Sequence, residues 1–579
     1  MNEIVLAFEG VHTFIGRHHI LQGVSFEATA DNVTVLIGRN GAGKSTALRS
    51  IIGLLPTSEG RILHRGRAIH KKKPYQIARE GIGFVPEHMG IFSNLTVEEN
   101  MRVAMLVEDA ATAHRLERTL AMFGDLRKFW TAKAGNLSGG QKQMLAIARA
   151  IVNDTSLLLV DEPSKGLAPI IIESLIDAIN QIKEHSVVVL VEQNFHLASS
   201  VGDQYYILDD GTVVQKGVME GLAGNQELKS RYLGISKAEN PFGNEHDKAA
   251  MALKPAGHWE RRLPLAIGMG LFLLPLLGIP VKTYLTLTIA GLAMGMLLFL
   301  VASGVSIIFG LMDVINFAHG ALFTWGAYVG FSIFRLLNKW VDAESVLQNV
   351  GAFTIAVVAA MVVVAFLGVV LERVIVRRVY GSHLFQILIT FGSTIVLVEL
   401  IRVLWGPNDE VMPVPLRFQG NWDVMDVIVL RYPIVCILMG LAVYALIQLV
   451  LKRTKLGTIV RAGVEDLDMV QAMGHNIFLL LTGVFAVGAA LAALGGLAMA
   501  MFTLQVYPDM GSTYLLFAFI VVIIGGLGSV TGSLVGALIV GLAYNYVAYL
   551  IPWAAAGVNI LIMIVILLIR PTGLFPVGK

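Results

Sequence analysis

The sequence predicts an α/β domain followed by an all-α, polytopic membrane domain. Three observations carry this reading. Residues 1–235 hold charge, short apolar strands and turn residues at the density of an ordinary globular domain. From Leu263 onward the text is mostly Leu, Val, Ile, Ala and Gly, in runs close to the ~20 apolar residues that cross a bilayer. At 579 residues the chain is too long for one ordinary domain, so its 55% hydrophobic content and mean hydropathy of +0.68 average two unlike halves.

The expected boundaries are a nucleotide-binding domain over 1–235, a linker over 236–262 and a membrane domain over 263–579. The linker text "ISKAENPFGNEHDKAAMALKPAGHWERR" is polar, carries two prolines and ends in basic residues suited to a cytosolic membrane face. The net charge of +2 says nothing about nucleic acid, and with no basic stripe in the sequence none is expected as a partner. Cys436 is the only cysteine, so no intrachain disulfide is possible. "MNEIVLAFEG" has neither the basic start nor the apolar core of a secretory signal, which places the N-terminal half in the cytosol.

The first domain is read from its loops. "VTVLIGRNGAGKSTALRSIIG" is a strand, a glycine-rich loop and a helix. In such a loop the backbone of Gly38, Asn40, Gly41 and Gly43 wraps phosphates, Lys44 reaches the terminal phosphates, and Ser45, followed by Thr46, offers a hydroxyl to Mg²⁺. The helix start adds its positive dipole end. ATP and Mg²⁺ are therefore the expected cofactors. "SLLLVDEP" delivers Asp161 to the metal from the end of an apolar strand and leaves Glu162 to polarise an attacking water. Between these two motifs, "LSGGQKQMLAIARAIV" places Ser138 and two glycines at a helix start, a second anion site.

This order of phosphate loop, LSGGQ turn and acidic strand resembles the ATPases of ABC transporters. The resemblance implies that Ser138, Gly139, Gly140 and Gln141 contact the γ-phosphate of ATP held by a partner ATPase, in a head-to-tail pair. It makes Phe14, in "VHTFIG", the aromatic that stacks on adenine. Two positions depart from the general pattern: Glu87 stands where a metal- and water-contacting glutamine is usual, and Gln193 where a switch histidine is usual. With "EPSKGLAP", "VPEHMGIFSNLTVEEN" and "LVEQN" they match one branch, the smaller ATPase of branched-chain amino-acid (Liv-type) importers. Gln193 is then a neutral donor and acceptor near the γ-phosphate, with Glu192 shaping the loop. "HMG" (His88 to Gly90) departs even from this branch, on a segment expected to face the permease.

About ten spans are expected, near 263–281, 285–310, 318–336, 352–371, 384–405, 432–451, 478–503, 513–526, 531–551 and 556–570. "ERVIVRRVYGS" and "KRTKLGTIVR" are basic, whereas "PNDEVMPVP" and "NWDVMD" are acidic, so the basic loops and both termini fall inside. Glycine, 59 of 579 residues, permits close helix approach, and Gly525 to Gly532 interrupts an apolar run in a way that can line a pathway. Glu399 and Arg402, three apart, are expected to pair toward the bundle.

"GLMDVINFAHGALFTWGAYV" sets Asp313, Asn316 and His319 between two apolar runs and resembles the permeases of the same importers, the kind carrying "INFAHG". "RAGVEDLDMVQAMGHNIF" resembles their coupling segment, which puts Glu465, Asp466 and Gly474 on a transmission surface. The resemblance covers nearly the whole chain except the linker. It implies half of a heteromeric importer for branched-chain amino acids or related small amides and acids, in a bacterial inner membrane. Its partners would be a second ATPase–permease half, an extracytoplasmic binding protein and membrane lipid. The alternative is an exporter or lipid flippase that works without a binding protein.

Overall fold

The computed structural model describes residues 3–224, 270, 278–424 and 427–575. The expected linker, 236–262, and nearly all of the first expected span lie outside the described residues. The chain forms two compact units, one of Met1–Ala249 with Leu451–Ile477, the other of Ala250–Val450 with Phe478–Lys579.

The first unit holds two sheets. β1 (Ile4–Ile15), β2 (His18–Thr29), β4 (Thr57–His64) and β5 (Arg67–Ala68) form an antiparallel sheet in the order β2-β1-β4-β5. β3 (Val33–Ile37), β6 (Ile82–Val85), β7 (Leu157–Asp161), β8 (Val187–Val191), β9 (Gln204–Asp209) and β10 (Thr212–Val218) form the other, in the order β10-β9-β3-β8-β7-β6. All its pairs are parallel except β9 with β10. Every residue of β3, β7 and β8 is buried, which is why these strands read as unbroken apolar runs. Their C-terminal ends lie side by side, the place where open parallel sheets present loops to a ligand. Each strand ends directly on a functional loop, at Gly38, Asp161 and Glu192 respectively.

Residues 451–477 interrupt the membrane unit in sequence yet pack with the first unit. They carry the helices Lys455–Glu465, whose start is capped by Thr454 Oγ1 accepting from Gly457 N at 3.0 Å, and Leu467–Ala472, capped by Asp466 accepting from Met469 N at 2.8 Å.

The second unit is helical. Nine of the ten expected spans correspond to helices: Val281–Met312, Ala318–Leu336, Val346–Val374, His383–Trp405, Arg431–Arg453, Ile477–Thr503, Met510–Gly525, Val530–Leu550 and Ala555–Ile569. The count of about ten is not confirmed. Among the described residues six helices are long and apolar enough to cross a membrane, and two further apolar helices are shorter. Met510–Gly525 ends early because Gly526, at φ +104, leaves helical geometry. Ala318–Leu336 is long enough but carries His319, Thr324, Trp325 and Tyr328. Glycine packing is concrete at Gly541, where a Cβ would stand 2.5 Å from Gly291 O and Gly295 N, so Val281–Met312 and Val530–Leu550 meet backbone to backbone. Arg402 does bond Glu399, but both are substantially exposed, and Arg402 Nη2 also donates to Asp509 Oδ2 at 2.8 Å. The pair ties helix ends together and does not face the bundle.

Candidate functional site

The loop after β3 is shaped by residue type. Gly43 takes φ +99 at the N-cap of the helix Lys44–Ile51, and a Cβ there would stand 2.8 Å from Leu21 Cδ2, so only glycine fits. No side chain caps this helix, which leaves its N–H groups for a ligand. Gly38 and Gly41 also have positive φ, and Thr46 is buried within the first turn of the helix. Lys44 is 4% exposed and donates to Gly38 O at 2.8 Å and Arg39 O at 3.0 Å, with Glu162 Oε1 at 3.7 Å. Burial lowers its ammonium pKa, against the raising effect of Glu162 and Asp161.

Ser45 Oγ donates to Asp161 Oδ1 at 3.0 Å. Burial pushes the Asp161 carboxyl up to about 6, with the Ser45 bond opposing it. A buried carboxylate with too little compensating charge, beside a hydroxyl oxygen, is a donor set that suits a hard divalent cation, so these residues fit Mg²⁺. Glu162 follows with φ +44 and is 8% exposed. Its backbone N donates to Val191 O at 2.9 Å.

The Gln193 side-chain amide donates both to Asn40 Oδ1 and to Glu162 Oε1, bridging the ends of β3 and β7. Glu192, 2% exposed, makes this possible. Its carboxylate accepts from Ser164 N at 3.0 Å, Gln193 N at 2.8 Å and Asn194 N at 2.9 Å. Burial raises the pKa of that carboxyl, and the three bonds counter the shift. His196 points elsewhere, its Nε2 lying 2.9 Å from Glu173 Oε1.

Glu87 is held by Lys165 at 2.6 Å, and Lys165 also stands 4.0 Å from Glu162. Lys165 was not singled out in the sequence, although it lies three residues after Glu162, within one turn's reach. Phe14 is 42% exposed on the edge of β1, stacked on His19 with ring centroids 4.2 Å apart. Ser138 and Gln141 form a capping box at the start of the helix Gly139–Ile151, Ser138 Oγ accepting from Gln141 N at 3.3 Å and Gln141 Oε1 from Ser138 N at 3.0 Å. Gly140 packs on Ile171. Their bonds stay within this turn and do not reach Lys44 or Asp161.

Residues 451–477 sit against the loop before Val97–Ala104. Both Glu465 carboxylate oxygens accept backbone N–H groups, Ser93 at 2.6 Å and Asn94 at 3.0 Å. Asp466 Oδ2 lies 3.9 Å from His88 Nε2. Gly474, at φ +92, presents its carbonyl to Arg79 Nε at 2.8 Å. Three further contacts escaped sequence reading: Arg461 to Glu99 at 2.7 Å, Lys455 to Met105 O at 2.8 Å, and His475 Nε2 to Val103 O at 2.7 Å. The "HMG" departure acquires a reason here. A Cβ at Gly90 would stand 2.9 Å from Met469 Sδ, so a glycine lets Met469 seat. Buried Arg149 holds this loop through Met89 O at 3.0 Å and Gly90 O at 2.8 Å. Asn316 and His319 lie in the second unit, both buried.

Both parts of the chain resemble known transporter proteins. Residues 21–165 match the ABC transporter family, and residues 287–569 match the branched-chain amino acid transport system / permease component family. Over 232 residues the chain is 38% identical to the high-affinity branched-chain amino acid transport ATP-binding protein BraG of Pseudomonas aeruginosa, covering 40% of this chain and 100% of that protein. A probable branched-chain amino acid transport ATP-binding protein, LivF of Archaeoglobus fulgidus, is 36% identical over 220 residues, 38% of this chain and 93% of that one. Among solved structures, a nucleotide-free ATP-binding cassette from an ABC transporter matches 40% of this chain and 100% of its own at 22% identity, with a TM-score of 0.37. The apolar helices and the permease match make this a multi-pass membrane protein with a cytoplasmic, ATP-binding ATPase domain. The chain belongs to the ABC transporters, joining in one polypeptide an ATPase domain and a permease domain of the branched-chain amino acid transport system.

Proposed function

We propose that this chain is one half of an importer that couples ATP hydrolysis to uptake of branched-chain amino acids or related small amides and acids delivered by an extracytoplasmic binding protein. The observation that carries the reading is the seat of residues 451–477. A segment lying between two membrane helices in sequence is bonded into the ATPase unit through Glu465, Arg461, Gly474 and His475, so movement of that unit pulls on the permease chain.

Ser45 and Asp161 would hold Mg²⁺, which neutralises phosphate charge when bound. Lys44 and the N–H groups of the loop from Gly38 to Thr46, with Asn40, Gly41 and Gly43, bind the phosphates, and Phe14 stacks on the base. Glu162 is the base that polarises water. Gln193 orients Glu162 and Asn40, and Glu192 fixes the turn that carries Gln193. Glu87 completes the site through Lys165. Ser138, Gly139, Gly140 and Gln141 serve the nucleotide of a second ATPase, and the missing half is a different ATPase–permease pair. The membrane is the bacterial inner membrane.

The test is uptake of radiolabelled leucine into vesicles holding the assembled complex with ATP. Transport that requires the binding protein supports import. ATP-driven movement from the cytosolic side, indifferent to the binding protein, would make it an exporter or flippase.

A further inference from the structure

Two breaks in the membrane unit meet. The backbone leaves helical geometry over residues 313–316, between Val281–Met312 and Ala318–Leu336, with Asp313 at φ +51. It does so again over 526–529, between Met510–Gly525 and Val530–Leu550. A Cβ at Gly310 would stand 2.9 Å from Gly528 Cα, so the second break lies against the turn leading into the first. At membrane depth, non-helical backbone is tolerated only where protein buries it or a polar cavity faces it.

The second break is closed by the chain itself. Leu574 N and Phe575 N donate to Ile524 O and Gly525 O, each at 2.9 Å, and Ser529 Oγ accepts from Gly532 N at 3.1 Å. The first break is bonded along its backbone, with Thr390 Oγ1 donating to Ile315 O at 3.4 Å and His319 N to Asn316 O at 3.3 Å, but its side chains are not all satisfied. Asn316, 4% exposed, uses its Oδ1 to accept from Ala318 N at 3.1 Å, and its Nδ2 has no partner. His319, fully buried, directs Nε2 to Val301 O at 3.2 Å, the geometry of an Nε2–H donor, and its Nδ1 has no partner. Gln386, 1% exposed on His383–Trp405, has an unpartnered Oε1. His319 stands on the first turn of Ala318–Leu336, three residues after the non-helical Asn316, while Gln386 and Thr390 are four apart and share one face of a second helix. Thr390 Oγ1 accepts from Phe317 N at 3.3 Å, which brings that face to the break.

A buried donor and two buried acceptors therefore lie in, or within about one helical turn of, one interruption, and each costs free energy until something bonds it. Next to them is an apolar wall. The Phe317 ring lies 5.5 Å from that of Phe519 and 6.5 Å from that of Phe391, in tilted and edge contacts. At the break Asp313 Oδ2 and His383 Nε2 stand 3.9 Å apart, both substantially exposed.

We propose that Asn316 Nδ2, His319 Nδ1 and Gln386 Oε1 form a transient site in the permease for the head group of the transported solute. The site takes a small molecule with N–H donors beside a carbonyl-type oxygen and sets its apolar part against Phe317, Phe391 and Phe519. The oxygen accepts from Asn316, and the N–H groups donate to His319 and Gln386. The ammonium and carboxylate of an amino acid carry this pattern, and so does a primary carboxamide. The assignment rests on the importer reading above.

The test uses the assembled complex in vesicles, with radiolabelled leucine and radiolabelled acetamide as the two probes, and the variants Asn316→Leu and Gln386→Leu. Wild-type uptake of one probe identifies the source of the head group. For that probe each variant is expected to raise KM at least tenfold; the melting temperature holds or rises for Gln386→Leu, which removes an unpaired buried atom, and falls modestly for Asn316→Leu, which also gives up the bond from Ala318 N. Unchanged KM in both variants overturns the site and leaves the importer reading standing. Loss of uptake with a lowered melting temperature in both variants assigns these groups a structural role and also overturns it. Wild-type vesicles that take up neither probe overturn the importer reading, and the site with it.

Discussion

The Gln193 side-chain amide donates to the Glu162 carboxylate and, at the same time, to Asn40 Oδ1. One neutral side chain thus joins the acidic end of β7 to the phosphate loop after β3, while the nearby imidazole of His196 is occupied by Glu173 at 2.9 Å. Gln193→Ala should lower ATP turnover by about tenfold, the low end of what misplacing a base costs, with nucleotide affinity little changed. His196→Ala should turn over ATP like wild type. Steady-state phosphate release by the two variants decides it, and a more damaging His196 change would reject the arrangement.

Glu162 itself is held at φ +44 and 8% exposure, with Lys44 at 3.7 Å. Glu162→Gln preserves shape and removes the basic oxygen. Turnover should fall by roughly 10²–10⁴, the usual contribution of a positioned base, while ATP still binds. Nucleotide binding measured by fluorescence beside phosphate release separates the two effects, and wild-type turnover would remove Glu162 from the role.

How much of this was readable in the sequence depended on distance along the chain. Gly38 to Thr46 and Asp161–Glu162 were legible because each motif is contiguous and its chemistry dictates the residue types. The three-way bonding of Glu192 was partly legible, since three polar residues directly after an apolar strand demand a use. The Arg461–Glu99 pair was not, because its members stand 362 residues apart and neither is unusual alone. Membrane helices were legible by composition, but their ends were not. Val281–Met312 starts four residues before the expected position, with buried Tyr284 stacked on Tyr546 at 5.7 Å between ring centroids. Contacts of that kind keep polar residues within a helix that hydropathy alone would trim.

Two histidines of opposite sign hold the docked segment, His475 within it and His88 on the loop that receives it. Burial lowers the pKa of His475, whose Nε2 meets Val103 O, with Lys455 and Arg79 adding to the shift. Protonation then favours the undocked state, so this contribution is complete above the ordinary value of 6.5 and is lost as pH falls below it. The pKa of His88 is raised, chiefly by the Asp466 carboxylate 3.9 Å away, so its contribution is present below 6.5 and lost as pH rises through the raised value. The ratio of solute moved to ATP consumed should therefore peak between the two. His475→Gln should flatten the acid limb and His88→Gln the alkaline limb. Profiles from pH 5 to 9 measure both, and unchanged limbs would count against docking control by these residues.

Glu465 accepts two backbone N–H groups with one carboxylate, at 2.6 Å and 3.0 Å. Charge-assisted bonds of this kind contribute about 2 kcal/mol each when desolvated, less at a half-exposed position such as this. Glu465→Ala should loosen the seat without touching Lys44, Asp161 or Glu162. ATP turnover by the complex should persist while solute moved per ATP falls severalfold. Turnover and uptake measured on the same vesicles give that ratio, and a ratio equal to wild type would show that the contact transmits nothing.

Just beyond the docked segment, fully buried Glu372 accepts from Arg377 Nε and Nη2, both at 3.1 Å, and from Tyr380 OH and Thr482 Oγ1, both at 2.7 Å. Thr482 lies in the first turns of Ile477–Thr503, so the network ties the exit of residues 451–477 to the end of Val346–Val374. Removing one member strands a buried charge, which costs about 3–5 kcal/mol, whereas removing both charges together leaves none uncompensated. Arg377→Met should therefore lower the melting temperature of the solubilised protein sharply. The double variant Glu372→Gln with Arg377→Met should recover much of the loss, the signature of coupling in a double-mutant cycle. Additive losses in the four melting temperatures would mean that the two side chains act independently and that the network does not hold this corner.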